Sequence, residues 1–148
     1  MDAKTHAIKT VLLADDDEDD RYFLAKALHE VAASLNLPEV ENGLEVMDWL
    51  NAASILPDLI FLDLNMPLRN GFECLREIKS DPSLARIPVV IFSTSIHGDS
   101  VNEVYAAGAS LYIVKPNHFE ALKHLVQNVL SIDWKLGPSS RENFILQT

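Results

Sequence analysis

The stretch "VLLADDDEDD", residues 11–20, sets four small or apolar residues directly against six consecutive acids. An apolar run this short, bounded by polar residues, has the length of a strand buried on both faces. Carboxylates cannot follow it into a core without partners, because an unpaired buried charge is expensive. The strand therefore has to deliver its acids to an edge of the molecule where negative charge has a use.

The same arrangement recurs along the chain. Strands are expected over Ile8 to Ala14, Leu37 to Val40, Leu59 to Leu64, Val89 to Ser93 and Leu111 to Val114. Between them run amphipathic segments. Leu24, Leu28, Val31 and Leu35 line one face of a helix beginning near Asp19. Val46, Leu50 and Ala53 repeat the spacing after Gly43, and Phe72, Leu75 and Ile78 repeat it again before Asp81-Pro82 stops that helix. "DSVNEVYAAG" reads as a shorter helix closed by Gly108, and Phe119, Leu122, Val126 and Leu130 mark a fifth. Strands alternating with helices predict an α/β fold with a parallel sheet. Pro38 removes a ladder donor from the second strand, which places that strand at a sheet edge.

With 148 residues the chain is long enough for one domain with a proper core. The expected division is a domain over 1–131 and a tail over 132–148. That tail, "DWKLGPSSRENFILQT" from Asp133 onward, is expected to dock on the domain or in a dimer contact through its apolar "FIL". Acids outnumber bases 22 to 12, and no Lys/Arg run tracks a phosphate backbone, which argues against direct nucleic-acid binding. The single Cys74 forms no internal disulfide, and "MDAKTHAIKT" lacks a secretory apolar stretch, so the expectation is a cytoplasmic protein. Acids interrupt every apolar run well before the roughly 18 residues of a membrane span.

In open parallel sheets, ligand-binding groups gather beyond the carboxyl ends of the strands, where strand order reverses. Asp15, Asp16 and Asp17 follow the first strand, Asp63 closes the third in "IFLDLNMP", Ser93 and Thr94 end the fourth, and Lys115 ends the fifth in "YIVKP". Carboxylates brought close together repel one another and titrate upward unless a cation shares the site. Oxygen donors without a His or Cys pairing favour a hard ion, and Mg²⁺ bound through carboxylates beside a phosphate fits a phosphoryl-transfer pocket. Asp63 is the candidate nucleophile, forming an aspartyl-phosphate, with Lys115 and a hydroxyl at position 93 or 94 on the phosphoryl oxygens.

Taken in order and at these distances, "LLADDDEDD", "IFLDLNMP", "VVIFSTS" and "YIVKP" resemble the receiver domain of two-component response regulators, over roughly residues 8 to 131. "IKSDPSLARIPVVIFSTS" looks most like the stand-alone receivers associated with bacterial phytochromes. The resemblance implies a flavodoxin-like (βα)5 doubly wound sheet in the order 2-1-3-4-5. It implies metal ligation by Asp15, Asp16 and Asp63 with the backbone carbonyl of Asn65, phosphorylation of Asp63, and phosphate contacts from Lys115 and Ser93. Tyr112 falls at the switch aromatic, and Lys115-Pro116 is expected to be cis. The chain departs from common receiver patterns at "LRNGFE", where an Asp often precedes the Gly, and at Ser93, where Thr is more usual.

The function expected is that of a single-domain response regulator. It would take its phosphoryl group from a sensor histidine kinase and act through a downstream protein, a homodimer or relay. Self-catalysed phosphotransfer and autodephosphorylation would be its only chemistry. Two alternatives stand beside it, a receiver-like interaction module without phosphorylation and an aspartyl-phosphate phosphatase. The phosphatase reading is weakened by "DLN", which offers Asn65 where a second Asp would act as general acid. Nucleotide hydrolysis lacks a glycine-rich phosphate loop. A flavin module would set its phosphate against the acids. Asp19 and Asp20 are expected to be a solvated helix start and Asp17 its cap, since acids favour the positive end of a helix. His97, His118 and His124 show no metal-ligand spacing, and Trp49 and Trp134 read as packing residues.

Overall fold

A computed structural model describes residues 8–94, 98–134 and 141–146; His97 lies outside them. The elements are β1 (Val11–Ala14), α1 (Glu18–Val31), β2 (Glu39–Val40), α2 (Gly43–Ala52), β3 (Leu59–Leu62), α3 (Gly71–Ser80), β4 (Val89–Ser93), α4 (Gly98–Ala106), β5 (Leu111–Val114) and α5 (Phe119–Ser131). A short 3-10 turn over Arg141–Asn143 leads into β6 (Ile145–Leu146).

The strands form one parallel sheet in the order β2-β1-β3-β4-β5-β6. Its inner members are apolar throughout because both faces are covered. Leu12, Ala14, Ile60, Leu62, Val89, Ile91 and Tyr112 face a cluster built with α2, α3 and α4. Their alternates Val11, Leu13, Leu59, Phe61, Val90, Phe92 and Ile113 face α1 and α5. Side chains alternate between faces along a strand, so this partition is what residues buried on both sides require.

The five-strand order agrees with the sequence expectation, and β6 is the addition. It pairs with β5, Tyr112 opposite Ile145, and the Tyr112 amide donates to the Phe144 carbonyl at 2.9 Å. Phe144 is fully buried, edge-on to the rings of Tyr105 and Tyr112 at 5.1 and 6.3 Å between centroids. Pro38 sits just before the two-residue edge strand β2, and its carbonyl accepts from the Leu13 amide at 2.9 Å. An edge position asks for no amide hydrogen from that residue.

Two local expectations are corrected. Helix α1 ends at Val31 and does not reach Leu35, since Ala32 turns into extended backbone. Leu35 still packs in the core, from the following loop, and its carbonyl contacts His29 Nε2 at 3.0 Å. The Lys115-Pro116 bond is trans, as no cis peptide occurs among the described residues. Trans is the lower-energy isomer of an X-Pro bond by about 0.5–1 kcal/mol. In that form the Lys115 amide already donates to the Ser93 carbonyl at 2.8 Å.

Candidate functional site

Strand order reverses between β1 and β3, so the chain leaving β1 and the chain leaving β3 diverge and open a crevice at their carboxyl ends. Ala14 is paired with Leu62, and the Asp63 amide donates to the Ala14 carbonyl at 2.9 Å. The next residue on each strand, Asp15 and Asp63, is thereby delivered to the same spot.

Local structure then fixes each acid. Asp17 caps α1, its Oδ1 accepting from the Asp20 amide at 3.0 Å, and Asp15 Oδ1 accepts from the Asp17 amide at 2.9 Å. The buried Arg21 reaches back from α1 to donate to the Asp15 carbonyl at 2.6 Å, and it is held from behind by Glu39 at 3.0 Å. On the β3 side, a Cβ at Gly71 would lie 2.1 Å from the Asp63 carbonyl oxygen. Only glycine lets the start of α3 close over the strand end at this position. The Asn65 amide points back toward Asp63 Oδ1 at 3.4 Å.

Asp15 and Asp63 are 2% and 4% exposed, whereas Asp16 is exposed. One carboxylate oxygen from each of the three lies within 4.8 Å of the others. From the end of β5, the Lys115 ammonium lies 2.7 Å from Asp15 Oδ2, 2.8 Å from Asp20 Oδ2 and 3.8 Å from Asp63 Oδ2. The contact with the buried Asp15 Oδ2 is a close ion pair, and it ties that carboxylate to the ammonium.

Burial pushes the Asp63 carboxyl up to about 7, with Lys115 pulling the other way and Asp15 adding to the rise. Burial disfavours the Lys115 ammonium too, but contacts from Asp15 and Asp20 and the charge of Asp63 hold its pKa above the usual lysine value. The acid group is thus under-compensated by one lysine. A hard dication fits this donor set: three carboxylates within 4.8 Å share one ammonium, and one of them, Asp63, is pushed up by burial and a like charge.

Ser93 is fully buried at the last position of β4, and Thr94 is exposed. The register pairs Leu62 with Ile91, which sets Ser93 alongside the chain just past Asp63. Tyr112 lies in the core of the neighbouring strand, also fully buried. Of the residues singled out in the sequence, the fold brings Asp15, Asp16, Asp63 and Lys115 to one spot. Sequence reading missed two. Asp20, expected to be a solvated helix start, is bonded to Lys115, and Arg21 buttresses the Asp15 backbone. Neither was marked by spacing, because each partner is set by tertiary structure. On the α1 and α5 side the site opens into a groove lined by Phe23, Phe92, Pro116 and Phe119.

Comparison with known proteins agrees with this geometry. The family model "Response regulator receiver domain" matches residues 11–127. Response regulator Rcp1 of Synechocystis is 33% identical over 88% of this chain and 92% of its own length. The chemotaxis protein CheY of Halobacterium salinarum is 35% identical, over 83% of this chain and 98% of its own. Among solved structures, the phosphorylated cyanobacterial phytochrome response regulator RcpA superposes with a TM-score of 0.79 at 35% identity, covering 90% of this chain and 98% of that one. The Mn²⁺-bound form of Rcp1 gives 0.73 at 32% identity, covering 89% and 99%. No helix among the described residues is long and apolar enough to cross a membrane. With the family model spanning most of the sequence and relatives of this similarity covered along nearly their whole length, the chain belongs to the response regulator receiver domain family.

Proposed function

We propose that this protein is a phosphorylation-dependent signalling switch, accepting a phosphoryl group on Asp63 from a sensor histidine kinase in a Mg²⁺-dependent reaction. The observation that carries the reading is the meeting of Asp15, Asp16 and Asp63 within 4.8 Å, opposite the Lys115 ammonium. The phosphorylated RcpA and Mn²⁺-bound Rcp1 among its structural relatives support the same chemistry.

Asp15, Asp16 and Asp63, with the Asn65 carbonyl, would hold Mg²⁺, which supplies charge neutralisation on the transferring phosphoryl oxygens. An Asp63 carboxylate oxygen bonds to phosphorus as the P–N bond of the phosphohistidine breaks and the imidazole nitrogen keeps the electron pair. Lys115 pairs with a phosphoryl oxygen, and the Ser93 hydroxyl donates to another. Tyr112, one strand away, would sense the hydroxyl's movement and carry it to the α4 and β5 surface. Self-phosphorylation and slow hydrolysis are then the only chemistry, and output passes through contact with another protein.

Transfer from a ³²P-labelled histidine-kinase phosphodonor domain tests this. Hydroxylamine-labile label on the wild type and none on Asp63→Asn is expected. Full labelling of Asp63→Asn would overturn the assignment.

A further inference from the structure

Asp20 has no part in the metal trio, yet the Lys115 ammonium donates a hydrogen bond to its Oδ2 at 2.8 Å. It sits in the first turn of α1, where the Asp17 cap fixes its backbone amide, and its side chain crosses to the end of β5. The lysine side chain is 9% exposed, with the Phe92 ring 5.3 Å from the ammonium. Its other close oxygen, Asp15 Oδ2 at 2.7 Å, belongs to a carboxylate that also faces Asp16 and Asp63.

Asp15 cannot serve an ammonium and a dication equally, because the two cations repel at short range. A buried ammonium that surrenders Asp15 needs another counter-ion, since an unpaired one is costly. Asp20 is already in place to be that counter-ion. We propose that Asp20 is a positioning residue that retains Lys115 at the rim of the site when a divalent ion claims Asp15, and thereby raises the site's metal affinity. This rests on the reading of Asp15, Asp16 and Asp63 as a divalent-ion site. Without Asp20, Lys115 has Asp15 and Asp63 as its remaining acids, and it competes with the metal for both.

Calorimetric titration of Mg²⁺ into the unphosphorylated full chain tests the proposal with no reference to phosphotransfer. Asp20→Asn is expected to weaken Mg²⁺ binding about fivefold or more, whereas Asp19→Asn, which removes the same charge from the same helical turn, changes it by less than about twofold. Asp20→Glu restores most of the loss. In a Lys115→Met background, Asp20→Asn changes affinity by less than about twofold, because the competition it relieves is gone. Equal effects of Asp19→Asn and Asp20→Asn, or an Asp20→Asn effect of full size in the Lys115→Met background, would overturn the proposal while leaving the metal site standing. Absence of Mg²⁺ binding to the wild type would overturn the metal site and this proposal together.

Discussion

At the Asp63 carboxyl, burial and the neighbouring Asp15 raise the pKa from 3.8 to about 7 against the pull of Lys115. A carboxyl perturbed in this way stores a pH dependence. In metal-free protein the folded state keeps the Asp63 proton up to about pH 7, while the unfolded chain releases it near 3.8. Between those values the folded state binds more protons, so stability falls as pH rises through the window and levels off above it. Asp63→Asn carries no such penalty. Its advantage over the wild type in metal-free urea denaturation should be absent below pH 4, grow up to pH 7 and reach on the order of 2–4 kcal/mol at pH 8. A constant difference at all pH values would contradict the burial argument. The residue scale is also where sequence reading was most uneven. Asp15, Asp63 and Lys115 were legible because each ends an apolar strand, and strand ends of a parallel sheet share one edge. Asp20 was not, as its partner lies 95 residues away and a run of acids at a helix start looks solvated.

Among the elements, the segment joining β3 to α3 departs from ideal geometry at Leu68, which has φ of 69° and is 75% exposed. A bulky residue in the left-handed region is strained by roughly 1–2 kcal/mol, and Leu68 recovers little by packing. Leu68→Gly should raise the denaturation free energy by about 0.5–1 kcal/mol, the relief being partly offset by the looser unfolded chain. Unchanged or lower stability would show that the exposed leucine makes a compensating contact. The strands β1, β3, β4 and β5 were readable as unbroken apolar runs since helices cover both their faces. Strand β6 was not. Two half-buried residues after a Gly-Pro-Ser-Ser stretch carry no periodicity, and pairing with β5 depends on Phe144 finding the space beside Tyr105 and Tyr112. Phe144→Ala should therefore release β6, seen as faster hydrogen exchange at the Tyr112 amide, which donates to the Phe144 carbonyl. Exchange at Leu13 and Phe61, on the inner strands, should stay slow; loss of protection there would mean that β6 supports the whole sheet.

For the whole molecule, the decisive feature is topology. The strand-order reversal between β1 and β3 brings acids from distant parts of the sequence to one crevice, and β5 supplies a single ammonium against them. Pro38 pointed to an edge position for the second strand, and β2 lies there, while the place of the reversal came from the family resemblance. The isomer of Lys115-Pro116 was misjudged from family pattern, yet the ammonium reaches the acids with the bond trans. The central claim, that Asp63 accepts phosphate in a site completed by a divalent ion, is tested most directly by intact mass after treatment with acetyl phosphate, with Mg²⁺ and with EDTA. One added phosphoryl group on the wild type in Mg²⁺, and none in EDTA or on Asp63→Asn, is the predicted result. Equal phosphorylation in EDTA, or of Asp63→Asn, would contradict it.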